Sequence, residues 1–219
     1  MRKVFQAELH QVGEELIEIS QLVTEVMVKA NEAFTTADTE LAQDVIAADA
    51  RIDFLQRDLD ERAIDILALQ GPVASDLRMI VGAQRMSASL ERIGDLARHI
   101  AQLARMRFPD HVAPEPMRAT FAEMADLDIA IARKHTGLLD TRDLKLANEI
   151  SSHYARVNEL HAGVFKAIAP PDWTASAPTT VDVSLASRYF ERFADHGVSV
   201  ARKVTYLVTG EWQPTAQGA

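Results

Sequence analysis

The chain reads Leu90-Glu91-Arg92-Ile93-Gly94-Asp95 in its first half and Phe190-Glu191-Arg192-Phe193-Ala194-Asp195 in its second half. Each segment places a glutamate and an aspartate four residues apart, with an arginine directly after the glutamate. Side chains four apart lie on the same face of a helix, where two carboxylates repel one another by roughly 0.2–0.5 kcal/mol. The recurrence of such a costly pair at matching places indicates two similar halves and a shared cation in each.

The similarity of the two halves extends beyond these segments. Ala50-Arg51-Ile52 resembles Ala155-Arg156-Val157, and Leu41-Ala42 matches Leu146-Ala147, in both cases 105 residues later. Apolar residues spaced by three and four predict six long amphipathic helices. The predicted helices run over residues 4–33, 39–70, 73–106, 117–135, 143–168 and 181–208. We therefore predict an all-α fold of two tandem antiparallel three-helix bundles.

Proline residues mark the predicted boundary between the halves. The first three-helix repeat is expected over residues 1–108 and the second over residues 117–212. Between them, residues 109–116 carry three prolines and read as a connector. Residues 213–219 are expected to form a flexible tail.

Composition excludes several classes of protein. The net charge is −9 and no run rich in lysine or arginine occurs, which argues against nucleic-acid binding. The absence of cysteine excludes disulfides and thiolate metal sites. No apolar run approaches the ~18 residues of a membrane span and no signal peptide is recognisable, so a cytoplasmic protein is expected. Neither a nucleotide-binding loop nor a catalytic constellation is present, and we predict no catalytic residue.

The repeated acids are the candidate metal ligands on the third helix of each half. Carboxylate oxygens in such pairs suit Mg²⁺, Mn²⁺ or iron. The candidate ligands are Glu91, Asp95, Glu191 and Asp195. The alternative interpretation is a solvated helix face on which Asp95 pairs with Arg98 or His99. Arg92 and Arg192 are candidate charge partners that either neutralise the acids or attract an anion.

A further pair of acids makes the first half the richer candidate. Asp49 and Asp53 lie on the second helix, beside the predicted core residue Ile52. The equivalent positions of the second half are Tyr154 and Asn158, which supply no carboxylate. If only one of the two sites holds metal, we expect it to be the site in the first half.

Two further stretches are informative: residues 70–78 (Gln-Gly-Pro-Val-Ala-Ser-Asp-Leu-Arg) and residues 204–211 (Val-Thr-Tyr-Leu-Val-Thr-Gly-Glu). Together with the two motifs above, these stretches resemble the PhoU family of phosphate-uptake regulators. The resemblance covers nearly the whole chain, including the plan of three plus three helices. It implies a cytoplasmic, homodimeric accessory protein that is not an enzyme and that reaches the membrane only through its partners.

The resemblance also implies a function. Family members repress the phosphate-starvation response and restrain phosphate uptake, coupling the phosphate ABC transporter, through its ATPase subunit, to a sensor histidine kinase. Some carry multinuclear iron or zinc clusters on their acidic motifs, which here correspond to Glu91 and Asp95, to Glu191 and Asp195, and more weakly to Asp49 and Asp53. This chain departs from the family pattern at residues 199–202, where Arg202 stands in place of a common acid. The alternative function is a metal-dependent carboxylate helical-bundle enzyme or a metal store.

Overall fold

The computed structural model describes residues 2–212, which form six α-helices and one short 3-10 helix and contain no strand. The α-helices are α1 (Arg2–Thr36), α2 (Thr39–Gln70), α3 (Ala74–Arg107), α4 (Arg118–Thr141), α5 (Leu144–Ile168) and α6 (Ala177–Thr209), and the 3-10 helix spans Glu115–Met117. Within these residues, no helix combines the length and the apolar character that crossing a membrane requires. The predicted all-α class is confirmed, and the predicted tail at 213–219 lies outside the described residues.

The helices pack as two three-helix bundles placed side by side. Helices α1, α2 and α3 contact one another in the first half, as do α4, α5 and α6 in the second. The halves meet where α1 contacts α4 and where α3 contacts α6. Helices α2 and α5 therefore lie on the outside, and each covers the two central helices of its own half. This arrangement confirms the predicted tandem bundles, while the exact domain boundaries remain a prediction.

Helices α3 and α6 run antiparallel across the junction between the halves. Arg107, the last residue of α3, pairs with Asp182 near the start of α6. Further along the groove, Lys203 Nζ donates to Ser89 Oγ over 2.9 Å. The two acidic motifs therefore lie at about the same level of the molecule.

Three phenylalanines join the halves in one core. Phe34 comes from α1, Phe121 from α4 and Phe190 from α6, and all three are buried. Their ring centroids lie 5.5, 5.6 and 5.9 Å apart, in tilted and edge-on arrangements. Aromatic pairs at this spacing add stability beyond the burial of their surface.

Helix α6 begins earlier than the apolar spacing predicts. The expected start is near Val181, whereas the helix begins at Ala177. Ser176 caps the helix, because its Oγ accepts a hydrogen bond from the main-chain N–H of Thr179 over 3.2 Å. Pro178 suits the first turn, where its missing N–H removes no helical hydrogen bond.

Helix α4 ends later than predicted. It continues past His135 to Thr141, because Leu138 still packs in the core with no exposed surface. The chain then turns at Arg142, whose φ of 56° places it in the left-handed region that ends many helices.

Candidate functional site

A close approach of α2 to α3 builds the acidic cluster of the first half. Gly94 of α3 faces Ile52 of α2, and a Cβ on this glycine would lie only 2.9 Å from Ile52 Cδ1. The missing side chain lets the two helices come together beside the fully buried residues Leu90 and Ile93.

The four predicted acids of the first half lie in this cluster. Burial raises the pKa of Glu91, and the negative charges of Asp95, Asp53 and Asp49 raise it further, whereas Arg92 opposes them. The pKa of Asp49 is likewise raised, by burial and by Asp53 and Asp95, although Arg98 opposes the shift. Electrostatic coupling of this kind requires the groups to be near one another. The structure therefore brings all four together, as the sequence predicts.

Two arginines already occupy the space among these acids. Arg98 lies between the two helices, with its Nη2 2.6 Å from Asp95 Oδ1 and its Nε 2.7 Å from Asp49 Oδ2. Arg92 Nη1 lies 2.8 Å from Asp95 Oδ2, and its Nε lies 3.6 Å from Glu91 Oε2. Burial alone would raise the pKa of Asp95, but hydrogen bonds and charges from Arg98 and Arg92 hold it below its usual range. The alternative pairing of Asp95 with Arg98 is thus present.

As placed, these acids do not form a metal site. Over residues 2–212, no three histidine, aspartate or glutamate side chains are arranged so that they could hold a metal ion together. The guanidinium of Arg98 supplies the positive charge that a metal would otherwise bring to Asp49 and Asp95. Metal binding by the first cluster remains a prediction that requires Arg98 to move.

The acids of the second half have different surroundings. The Glu191 side chain is only 9% exposed, and it accepts a hydrogen bond from Arg188 Nη1 over 2.6 Å. Burial raises the pKa of Glu191 and the charge of Asp195 adds to this rise, whereas Arg188 and Arg192 oppose it. Arg188 is therefore the direct partner of Glu191. Among the described side chains, no ion pair of Arg192 or Asp195 is as short as the pair between Arg188 and Glu191.

Asp128 of α4 is a functional candidate that the sequence analysis misses. Its side chain has no exposed surface, and neither carboxylate oxygen has a hydrogen-bond partner within the described chain. Burial, together with the negative charge of Glu191, raises the pKa of Asp128 well above its usual value. In this half the sequence predicts no second pair of acids to accompany Glu191 and Asp195, and α4 supplies one additional acid close to Glu191. The detectable signal is an aspartate within the buried stripe of α4 that includes Ala125 and Ile131.

Comparisons with known proteins agree with this architecture. The sequence model of the family described as "PhoU domain" matches residues 16–104 and 121–204, one segment in each half. Phosphate-specific transport system accessory protein PhoU homolog 2 of Mycobacterium tuberculosis is 37% identical over 210 residues, covering 96% of this chain and 99% of that protein.

Two solved structures have the same fold. PhoU from Pseudomonas aeruginosa superposes with a TM-score of 0.82 at 28% identity, covering 94% of this chain and 100% of that one. The phosphate transport system regulatory protein PhoU from Streptococcus pneumoniae gives a TM-score of 0.86 at 24% identity, covering 96% and 100%.

Proposed function

The chain belongs to the PhoU family, and we propose that it is a negative regulator of phosphate uptake and of the phosphate-starvation response. In this role it is an adaptor between the ATPase subunit of a phosphate ABC transporter and a sensor histidine kinase. The observation that carries the proposal is similarity, along almost the whole chain, to an accessory protein of phosphate-specific transport.

Exposed apolar side chains at both ends of the α3/α6 pair support an adaptor role. At one end, Val208 and Trp212 are 46% and 55% exposed; at the other end, Met106, Phe108 and Val181 are 66%, 60% and 56% exposed. Helix α3 has 34 residues, so these ends lie about 50 Å apart at 1.5 Å per residue. Two separated apolar surfaces suit a protein that contacts two partners.

The same proposal includes a cytoplasmic homodimer that has no catalytic activity, does not bind nucleic acid and meets the membrane only through its partners. The arginine partners of Asp49, Asp95 and Glu191 support a structural role for these acids. Light scattering on the purified full chain tests the dimer, and cell fractionation tests the location. A monomer at micromolar concentration would contradict the dimer.

Metal binding, through an iron or zinc cluster or through Mg²⁺ or Mn²⁺, is the second proposal. Its support is the gathering of four acids in the first half. Metal analysis of the untagged protein tests it, with Glu91→Ala and Glu191→Ala measured in parallel. Stoichiometric metal that is lost on either substitution would support it and would keep the metal-enzyme or metal-store alternative open. Absence of metal from the wild type would contradict both metal binding and the metal-enzyme or metal-store alternative.

Deletion of the gene in its source bacterium tests the regulatory role most directly. We expect alkaline phosphatase activity and phosphate uptake to rise in medium rich in phosphate, and a plasmid copy of the gene to restore both. The control is the same deletion strain with an empty plasmid. Unchanged phosphatase activity together with unchanged uptake would overturn the proposed function.

A further inference from the structure

A small pocket lies at the end of the groove between α3 and α6, where α3 begins and α6 ends. Its volume is about 220 Å³, and the rings of Tyr206 and Trp212 form one wall. These two rings stack on each other, with their centroids 4.2 Å apart and their planes 13° from parallel. Leu77 and Val81 contribute apolar surface from α3. None of the residues that line the pocket belongs to either acidic motif.

Three cationic side chains line this pocket: Arg78, Arg85 and Lys203. No acidic residue of the described chain contributes to its lining. By contrast, four other arginines of α3 and α6 form ion pairs with acids, namely Arg92, Arg98, Arg107 and Arg188. The chain has 32 acidic and 23 basic residues, so acids are plentiful elsewhere. Within the described chain, the three pocket cations therefore lie together without a carboxylate among them.

Lys203 is held in place by a chain of hydrogen bonds. Its Nζ donates to Ser89 Oγ over 2.9 Å, and this hydroxyl donates in turn to the main-chain oxygen of Arg85 over 3.0 Å. Burial lowers the pKa of Lys203, and the positive charge of Arg85 lowers it further. An ammonium carries three donors, so two N–H groups of Lys203 remain for another partner. An anion in the pocket would relieve the repulsion between these two cations.

We propose that this pocket binds a small oxyanion, either free phosphate or a phosphoryl group carried by a larger molecule. Guanidinium groups recognise phosphate oxygens through paired N–H donors, and a lysine ammonium adds a point charge. The apolar walls strengthen these interactions, because charges attract more strongly where water is partly excluded. The proposal goes beyond the regulatory role described above and does not depend on it.

The size of the pocket limits the ligand. Sites for drug-sized molecules usually have volumes of about 300–1,000 Å³, and this pocket is smaller. It has room for several water molecules, and hence for a tetrahedral oxyanion with part of its hydration shell. A phosphoryl group on a larger molecule would enter with the remainder of that molecule outside the pocket.

Trp212 offers a direct reporter of binding. The chain has two tryptophans, so the substitution Trp173→Phe leaves Trp212 as the single tryptophan. This variant should show a saturable change in fluorescence with inorganic phosphate or with phenyl phosphate, excited at a wavelength that the ester does not absorb. A response to inorganic phosphate identifies the free ion as a ligand, and a response to phenyl phosphate alone identifies an esterified phosphoryl group. Sodium chloride at equal ionic strength should give no saturable change.

Removal of the pocket cations provides the decisive comparison. Lys203→Gln and Arg85→Gln should each weaken binding by about tenfold or more, as expected for the loss of a hydrogen bond to a charged group. Arg202→Gln removes the same charge from the same turn of α6 but not from the pocket lining, and it should change affinity far less. Because Arg85 is exposed, its variant should fold even if the Lys203 variant does not.

Three results would overturn the proposal. They are no saturable response to either phosphate probe, an equal response to chloride, and unchanged affinity in a folded Arg85→Gln variant. Equilibrium dialysis with labelled phosphate provides an independent measure of binding by the free ion.

Discussion

Arg98 of α3 reaches across to Asp49 of α2, so that its Nε lies 2.7 Å from Asp49 Oδ2. The same guanidinium also contacts Asp95 on its own helix, with Nη2 2.6 Å from Oδ1. One cation thus neutralises acids from two helices that would otherwise repel. Arg98 therefore offsets the repulsion between Asp49 of α2 and Asp95 of α3.

Arg98→Gln should destabilise the protein. The substitution leaves Asp49 and Asp95 without their shared partner, and losing hydrogen bonds to charged groups costs about 1–3 kcal/mol. Urea unfolding at pH 7 measures the loss. The matched control is Arg51→Gln, which removes an exposed pair with Glu18 whose contribution should be about 0–1 kcal/mol. Equal losses in the two variants would show that Arg98 has no special role.

The same substitution should increase the affinity of the first cluster for divalent cations. Two unit charges about 4 Å apart interact by on the order of 1–4 kcal/mol, and the double charge of Mn²⁺ doubles its repulsion by Arg98. Mn²⁺ should therefore bind at least about tenfold more tightly to Arg98→Gln than to the wild type. Calorimetric titration measures this change, with Arg51→Gln again as the control. If Arg98→Gln binds Mn²⁺ no better than the wild type, the arginine does not compete with metal.

Asp128→Asn should change how stability depends on pH. Because the pKa of Asp128 is raised in the folded protein, the wild type loses stability as pH rises from the unfolded value of about 3.9 towards the higher folded value. The asparagine variant lacks this loss, so its stability relative to the wild type should improve between pH 5 and pH 8. Urea unfolding at both pH values measures the difference.

Asp65→Asn is the control for this comparison, because Asp65 is exposed on α2. Its stability relative to the wild type should stay nearly constant over the same range. A constant difference for Asp128→Asn as well would mean that Asp128 titrates normally in the folded state.

Gly197→Ala should disturb the contact between α4 and α6. A Cβ at Gly197 would lie 2.6 Å from Ile131 Cγ2 and 3.2 Å from His135 Cε1. Overpacking of this kind costs about 1–3 kcal/mol. Gly13→Ala has no atom within 4 Å of its new Cβ and lies inside α1, so it should instead stabilise by about 0.5–1 kcal/mol. Thermal unfolding distinguishes the two, and a stable Gly197→Ala variant would contradict the close packing.

The fold follows from patterns within the sequence, whereas parts of the candidate sites depend on pairings between distant residues. Apolar spacing and the duplicated segments suffice to predict six helices in two bundles, and the position of Ile52 in the core stripe places Asp49 and Asp53 near α3. The approach of Asp128 to Glu191 depends on how α4 packs on α6, which helical periodicity does not determine. The joining of Arg85 and Lys203 in one pocket likewise depends on the antiparallel register of α3 and α6.

The contact of Phe34 with Phe121 and Phe190 means that the repeated halves are not interchangeable modules. Each half contributes rings to a core that neither completes alone, since Phe34 packs against residues that follow the connector. A chain severed in the connector would expose an aromatic face on each fragment. Such fragments should aggregate when produced separately and recover a folded complex when produced together, as two pieces of one folding unit.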